Sequence, residues 1–161
     1  MATLDTIPIV TKVNIPLARG EFEERKFYAL PSFMNDLMNL VPTLRPGRLK
    51  AALTPQEQID DILRKWITGR AMRYDRWLKD LMPRDSETWE LKTADLRIFG
   101  WIYRPKVFVA AFMGVADHYK SHRDRPALES YEDARNRVVA IRNRLDLDEP
   151  KFVTGVFDAL I

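Results

Sequence analysis

Between Trp89 and Phe112 the chain carries two apolar segments, WELKTADLRIFGWIY and VFVAAF, folded about Arg104-Pro105-Lys106. Side chains alternate there with a period of two. Leu96, Ile98, Gly100 and Ile102 fall on one face, whereas Arg97, Phe99, Trp101 and Tyr103 fall on the other. After the turn, Val107, Val109 and Ala111 alternate with Phe108, Ala110 and Phe112. Both faces are apolar, which predicts central strands covered by a helix on one side and partly covered on the other. Any fold for this chain must supply those covering helices from outside the segment.

The helices are legible from caps and spacing. Thr54-Pro55-Gln56-Glu57 combines an N-cap, proline at the first helical position and a capping-box glutamate. Ile59, Ile62, Leu63, Trp66 and Ile67 then recur at three and four residues, and Met72, Tyr74, Trp77, Leu78 and Leu81 continue a similar stripe. This predicts one long helix, or two consecutive ones broken at Gly69, from Pro55 to Leu81. A further helix is expected over Ser130 to Leu145, with Ala134, Val138, Ile141 and Leu145 as its buried stripe. Arg25 to Leu30 reads as a strand, and Pro31-Ser32 starts a helix over Phe33 to Val41. Pro8 and Pro16 keep the first twenty residues extended, as an arm or edge strand. The stretch after Pro42 is a basic loop holding Arg45, Arg48 and Lys50. The expected organisation is a single domain: an N-terminal arm over 1–24, a core over 25–145 and a C-terminal tail over 146–161 that docks or adds a strand. The fold class is α+β, with a small antiparallel sheet packed on helices.

Composition narrows the function. The 161 residues suffice for one domain with a core. The chain has no cysteine, which excludes a disulfide framework, a thiol nucleophile and a cysteine zinc site. No apolar run is long enough to span a bilayer and the start lacks the pattern of a secretory signal, so no membrane partner and a cytoplasmic location are expected. The net charge of +3 permits nucleic-acid binding without requiring it.

Both histidines lie in the polar run Asp117-His118-Tyr119-Lys120-Ser121-His122-Arg123-Asp124-Arg125, directly after the strand pair. His118 and His122 are four apart beside Asp117, but no HExxH pattern accompanies them, and no metal or other cofactor is expected. No Gly-rich phosphate loop and no G-x-S-x-G is present, which disfavours nucleotide and serine hydrolases.

The order of elements, with Trp89-Glu90-Leu91-Lys92, Leu96-Arg97-Ile98-Phe99, Val107 to Phe112, Lys120 and Tyr131-Glu132-Asp133-Ala134-Arg135, resembles the RelE/HigB superfamily of toxins, in its phage Gp49-like branch. The resemblance covers Arg25 to Leu145, with its weight on Trp89 to Leu145. It implies a RelE-like core and a metal-free mRNA endonuclease, free or on the ribosome, neutralised by an antitoxin protein. It also places Lys92, Arg97 and Lys120 where the family sets basic groups facing RNA. The chain departs from the family in its loop, where His118-Tyr119-Lys120-Ser121-His122 replaces a lysine pair, in Lys92 for arginine, and in its first fifty residues.

Metal-free RNA cleavage needs a base for the 2′-hydroxyl, cations for the phosphorane and an acid for the departing 5′-oxygen. The catalytic candidates are His118 and His122 for proton transfer, with Lys120 and Arg97 holding the phosphate. Lys92, Arg104, Tyr119 and Arg123 are the RNA-binding candidates, Tyr119 by stacking on a base. Against this stand plainer expectations: solvated histidines, Arg97 paired with Glu90 or Asp95, and Phe99, Trp101 and Tyr103 as core. The alternative function is a non-enzymatic phage or prophage protein that uses the same fold to bind a host protein or nucleic acid.

Overall fold

The computed structural model describes residues 2–46, 51–121, 123–126 and 128–161. Arg48 and Lys50 of the basic loop, and His122, lie outside the described residues. Six strands form one sheet: β1 (Thr11–Lys12), β2 (Lys26–Ala29), β3 (Leu78–Asp80), β4 (Trp89–Lys92), β5 (Leu96–Arg104) and β6 (Val107–Val115). Their spatial order is β1-β2-β6-β5-β4-β3. All neighbours pair antiparallel except β2 and β6, which run parallel with Lys26 opposite Val107 and Ala29 opposite Ala110. The sheet is therefore mixed. Together with the helices α1 (Pro31–Asn35), α2 (Pro55–Ile67), α3 (Ala116–Lys120), α4 (Tyr131–Arg144) and α5 (Phe157–Leu160), it makes an α+β fold.

The two-sided apolar pattern finds cover on both faces. On one face, Leu96, Ile98, Ile102 and Phe108 pack with Phe33 of α1 and with Ile59, Ile62, Trp66 and Ile67 of α2. On the other, Phe99, Trp101, Tyr103 and Val109 pack with Ala134 and Val138 of α4. The capping boxes explain where the two long helices begin. Thr54 caps α2 with Glu57, and Ser130 caps α4 with Asp133.

The β5–β6 ladder departs from simple alternation at two points, between Phe99 and Gly100 and between Ile102 and Arg104. Phe99 faces Phe112, but Gly100 faces Ala110, so Ala111 is an extra residue on β6. Phe112 therefore sits on the same face as Ala111, against Phe99 and α4, and not with Phe108 and Ala110 as strict alternation would have it. The bulge also brings the backbones close together. A Cβ on Gly100 would lie 2.0 Å from the carbonyl oxygen of Val109.

The expected continuation of α2 to Leu81 is not found. The helix ends in a Schellman motif, with Gly69 at φ 71° and the Arg70 N–H donating to Lys65 O at 3.0 Å. Leu78 then joins the sheet opposite Leu91 and is fully buried. The spacing of Tyr74, Trp77, Leu78 and Leu81 mimics a helix, but pairing with β4 satisfies the backbone and buries Leu78 as well. Both chain ends join the body. β1 is an edge strand, Ala2 exchanges hydrogen bonds of 2.9 Å with Asp146 and Asp148, and the tail docks with Val153 N–H on Ile102 O at 3.0 Å. Among the described residues, no helix is long and apolar enough to cross a membrane.

Replacing Gly100→Ala should therefore lower stability by about 3 kcal/mol, because the clash is with backbone and cannot be relieved by a rotamer change. Urea unfolding of the two proteins measures it, and a loss below about 1 kcal/mol would show that the bulge is not constrained in this way.

Candidate nucleic-acid interface

The first candidate residue to fix is Arg97, on the α4 face of β5. Its guanidinium is buried and held from several sides. Nη1 donates to the carbonyl oxygens of Thr93 at 2.7 Å and Leu96 at 2.8 Å, and Nε lies 3.4 Å from the Tyr131 hydroxyl and 3.6 Å from Glu90 Oε2. Only 4% of Arg97 reaches solvent. From this buried position it closes the β4–β5 turn. Gln58 of α2 grips the same turn, donating to Asp95 Oδ2 at 2.7 Å and accepting from Asp95 N–H at 2.9 Å. Asp95 O in turn accepts from Ala116 N–H at 2.8 Å, which pins the start of α3.

Glu90 is as deeply buried as its partner, and its Oε2 has no hydrogen-bond partner among the described residues. Burial pushes its carboxyl above the ordinary glutamate range, opposed by the nearby Arg97, Lys92 and Lys79 charges.

Tyr119 is the buried face of α3. Its ring meets Phe99 edge-on at 4.9 Å and lies 5.2 Å from Tyr131, and its hydroxyl donates to Glu129 Oε2 at 2.6 Å. Glu129 also accepts from Arg137 Nη1 at 3.1 Å, and that guanidinium covers the Phe112 ring at 3.3 Å. Burial, then the Glu129 carboxylate, pushes the Tyr119 phenol far up. The ring proposed for base stacking is thus packed against Phe99 and Tyr131, with 7% of the residue exposed.

On the outer side of Tyr119 the picture is different. His118, Lys120 and Arg123 are exposed, and Lys120 and Arg123 make no ion pair among the described residues. A depression of about 550 Å³ lies here, lined by Tyr119, Lys120, Arg123, Asp124, Ser130 and Tyr131. Ser130 and Tyr131 are the start of α4, so the positive end of a fourteen-residue helix borders the depression.

Two RNA-binding candidates lie elsewhere. Lys92 donates to the Asp75 carbonyl at 2.6 Å and pairs with its carboxylate at 3.1 Å. Arg104 stacks on the Tyr103 ring at 3.9 Å and donates to the carbonyl oxygens of Tyr103 and Pro150, fastening the tail. It stands seven residues along β5 from Arg97, about 23 Å at the strand rise. The structure thus gathers Lys120, Arg123 and Tyr119 at one depression, with His118 on the same short helix and Arg97 behind Tyr131.

Residues the sequence reading did not select are Tyr131 and Ser130, which line the depression, and Glu129, which anchors Tyr119. The S-x-x-D capping pattern marks Ser130 as the mouth of a helix. Nothing local signals the Tyr119–Glu129 pairing. Among the described residues, no three His, Asp or Glu side chains converge as metal ligands. The chain matches no family model, no curated protein and no solved structure.

Folding raises the Glu90 carboxyl above its unfolded value, so the folded state binds more protons there. The stability this contributes is full at low pH and is lost as pH rises from about 4.5 through the raised value. Replacing Glu90→Gln should remove that slope. Urea unfolding of both proteins across the acid-to-neutral range tests it, and two parallel stability curves would contradict it.

Proposed function

We propose that this chain acts on RNA as a metal-free endoribonuclease of toxin type, gripping a backbone phosphate in the depression between α3 and α4. The observation that supports this reading is the cluster of exposed cations, Lys120 and Arg123, set beside the first turn of α4 with His118 on the adjoining helix. Lys120 and Arg123 hold the phosphate by charge. His118 is the group for proton transfer. It takes the proton of the ribose 2′-hydroxyl as that oxygen attacks phosphorus, and the P–O5′ bond breaks with the departing 5′-oxygen taking a proton from solvent water, to leave a 2′,3′-cyclic phosphate and a 5′-hydroxyl. Arg97 has no contact with RNA in this account. It is a positioning residue that holds the Thr93–Asp95 turn and Tyr131.

A second reading is favoured by one specific finding, the burial of Arg97 and Tyr119. With those two withdrawn, the exposed set suits a grip on nucleic acid without cleavage, as in a non-enzymatic binding protein of a phage or prophage.

Purified chain is incubated with end-labelled RNA, free and on translating ribosomes. Cleavage with cyclic-phosphate ends is expected, and His118→Ala should slow it about 100-fold or more. The pair Lys120→Ala and Arg123→Ala should weaken binding and reduce the salt slope of log K by about 1.4, the value for two contacts to single-stranded RNA. Binding with no cleavage in either setting selects the second reading. Absence of both overturns the proposal.

A further inference from the structure

A second cavity, of about 320 Å³, is lined by Tyr74, Asp80, Arg84, Glu87, Trp89 and Phe157 and shares no residue with the depression between α3 and α4. Three of its walls are aromatic. The Phe157 ring lies 5.5 Å from Tyr74, edge-on, and 6.4 Å from Trp89. Tyr74 and Val156 are exposed at its mouth, at 41% and 74%.

The two carboxylates in this cavity differ in their partners. Asp80 is occupied: it accepts from the Tyr74 hydroxyl and pairs with Arg84 Nε at 3.1 Å. Glu87 is not. Its carboxylate makes no hydrogen bond and no ion pair among the described residues, and its backbone is fixed at φ 49° after a short 3-10 turn. Arg142 is near it, but that guanidinium donates to the carbonyl oxygens of Glu87 at 2.8 Å and Ser86 at 2.9 Å and covers the Phe152 ring at 4.1 Å. Partial burial pushes the Glu87 carboxyl up, opposed by the Arg142 charge and reinforced by Asp80 and Asp85.

A carboxylate partly withdrawn from water beside aromatic faces is a site for a cation. Ring faces carry negative potential and attract ammonium or guanidinium groups, and a desolvated carboxylate gains most from an opposite charge. An anionic ligand would meet Asp80 and Glu87 with only Arg84, already paired, in its favour. A neutral apolar ligand would cover Glu87 without compensating it. We propose that this cavity binds a cationic group, an ammonium or guanidinium, with Glu87 as counter-ion and Tyr74, Trp89 and Phe157 as the aromatic wall. The group belongs either to a free small amine or to a basic side chain of a polypeptide.

Trp89 lines this cavity, so the NMR signal of its indole N–H reports on it. The full chain is titrated with tetramethylammonium, with a short neutral-backbone peptide bearing one lysine, and with neopentyl alcohol as an uncharged isostere. The charged probes should shift the Trp89 signal at tens of millimolar or below while the alcohol leaves it in place. Glu87→Gln should weaken the charged probe about fivefold. A response to tetramethylammonium assigns a free amine, and a response to the peptide alone assigns a basic side chain. No shift with either charged probe, or an equal shift with the alcohol, overturns the proposal, and that comparison stands whether or not the Glu87 variant folds. An unchanged affinity in a folded Glu87→Gln protein also overturns it.

Discussion

The pairing of β5 with β6 governs the rest of the molecule. These two nine-residue strands sit at the centre of the sheet and are buried on both faces, so the remaining strands extend the sheet outward from them and the long helices are placed by what they cover. The extra residue at Ala111 turns Phe112 towards α4, and Gly100 is the residue whose missing side chain lets the two backbones meet. Phe112 then carries Arg137 on its ring, Arg137 binds Glu129, and Glu129 holds the hydroxyl of Tyr119. The position of α3, and with it His118 and Lys120, therefore follows from a register shift in the middle of the sheet.

A second line of support reaches the same place through the turn between β4 and β5. Gln58 on α2 and Arg97 on β5 clamp the turn between β4 and β5, and Asp95 passes that constraint to the first residue of α3. Arg97 illustrates why a cation in a strand of mixed pattern becomes structural. Once buried, a guanidinium must be met by acceptors, and two backbone carbonyls with Glu90 nearby meet it here. The exposed Lys120 and Arg123 carry no such obligation.

Much of this was legible in the chain itself. The capping box at Thr54, the alternation through β5 and the apolar stripe of α4 each state their element by local chemistry, and the pairing of Arg97 with Glu90 was one of the two partners its neighbourhood offered. The features that escaped are those decided at a distance. β3 is written with helical spacing and becomes a strand because Leu91 lies opposite Leu78. The parallel pairing of β2 with β6 joins residues some eighty positions apart in the chain and leaves no periodic mark. The bulge at Ala111 breaks an alternation that is otherwise regular in sequence, and the burial of Tyr119 depends on Glu129 ten residues away. The division of the polar loop into a buried ring and exposed cations could be read only once these were in place.

The proposed RNA-facing surface lies between α3 and the start of α4, whereas Lys92 is engaged with Asp75 and Arg104 with the tail. The most direct measurement is an NMR titration of the full chain with a short single-stranded RNA made uncleavable by 2′-O-methylation. The account predicts shifts at His118, Lys120, Arg123, Ser130 and Tyr131, with the amides around Lys92 and Arg104 unmoved. Shifts centred on Lys92 or Arg104, or a spectrum unchanged by RNA, would contradict it.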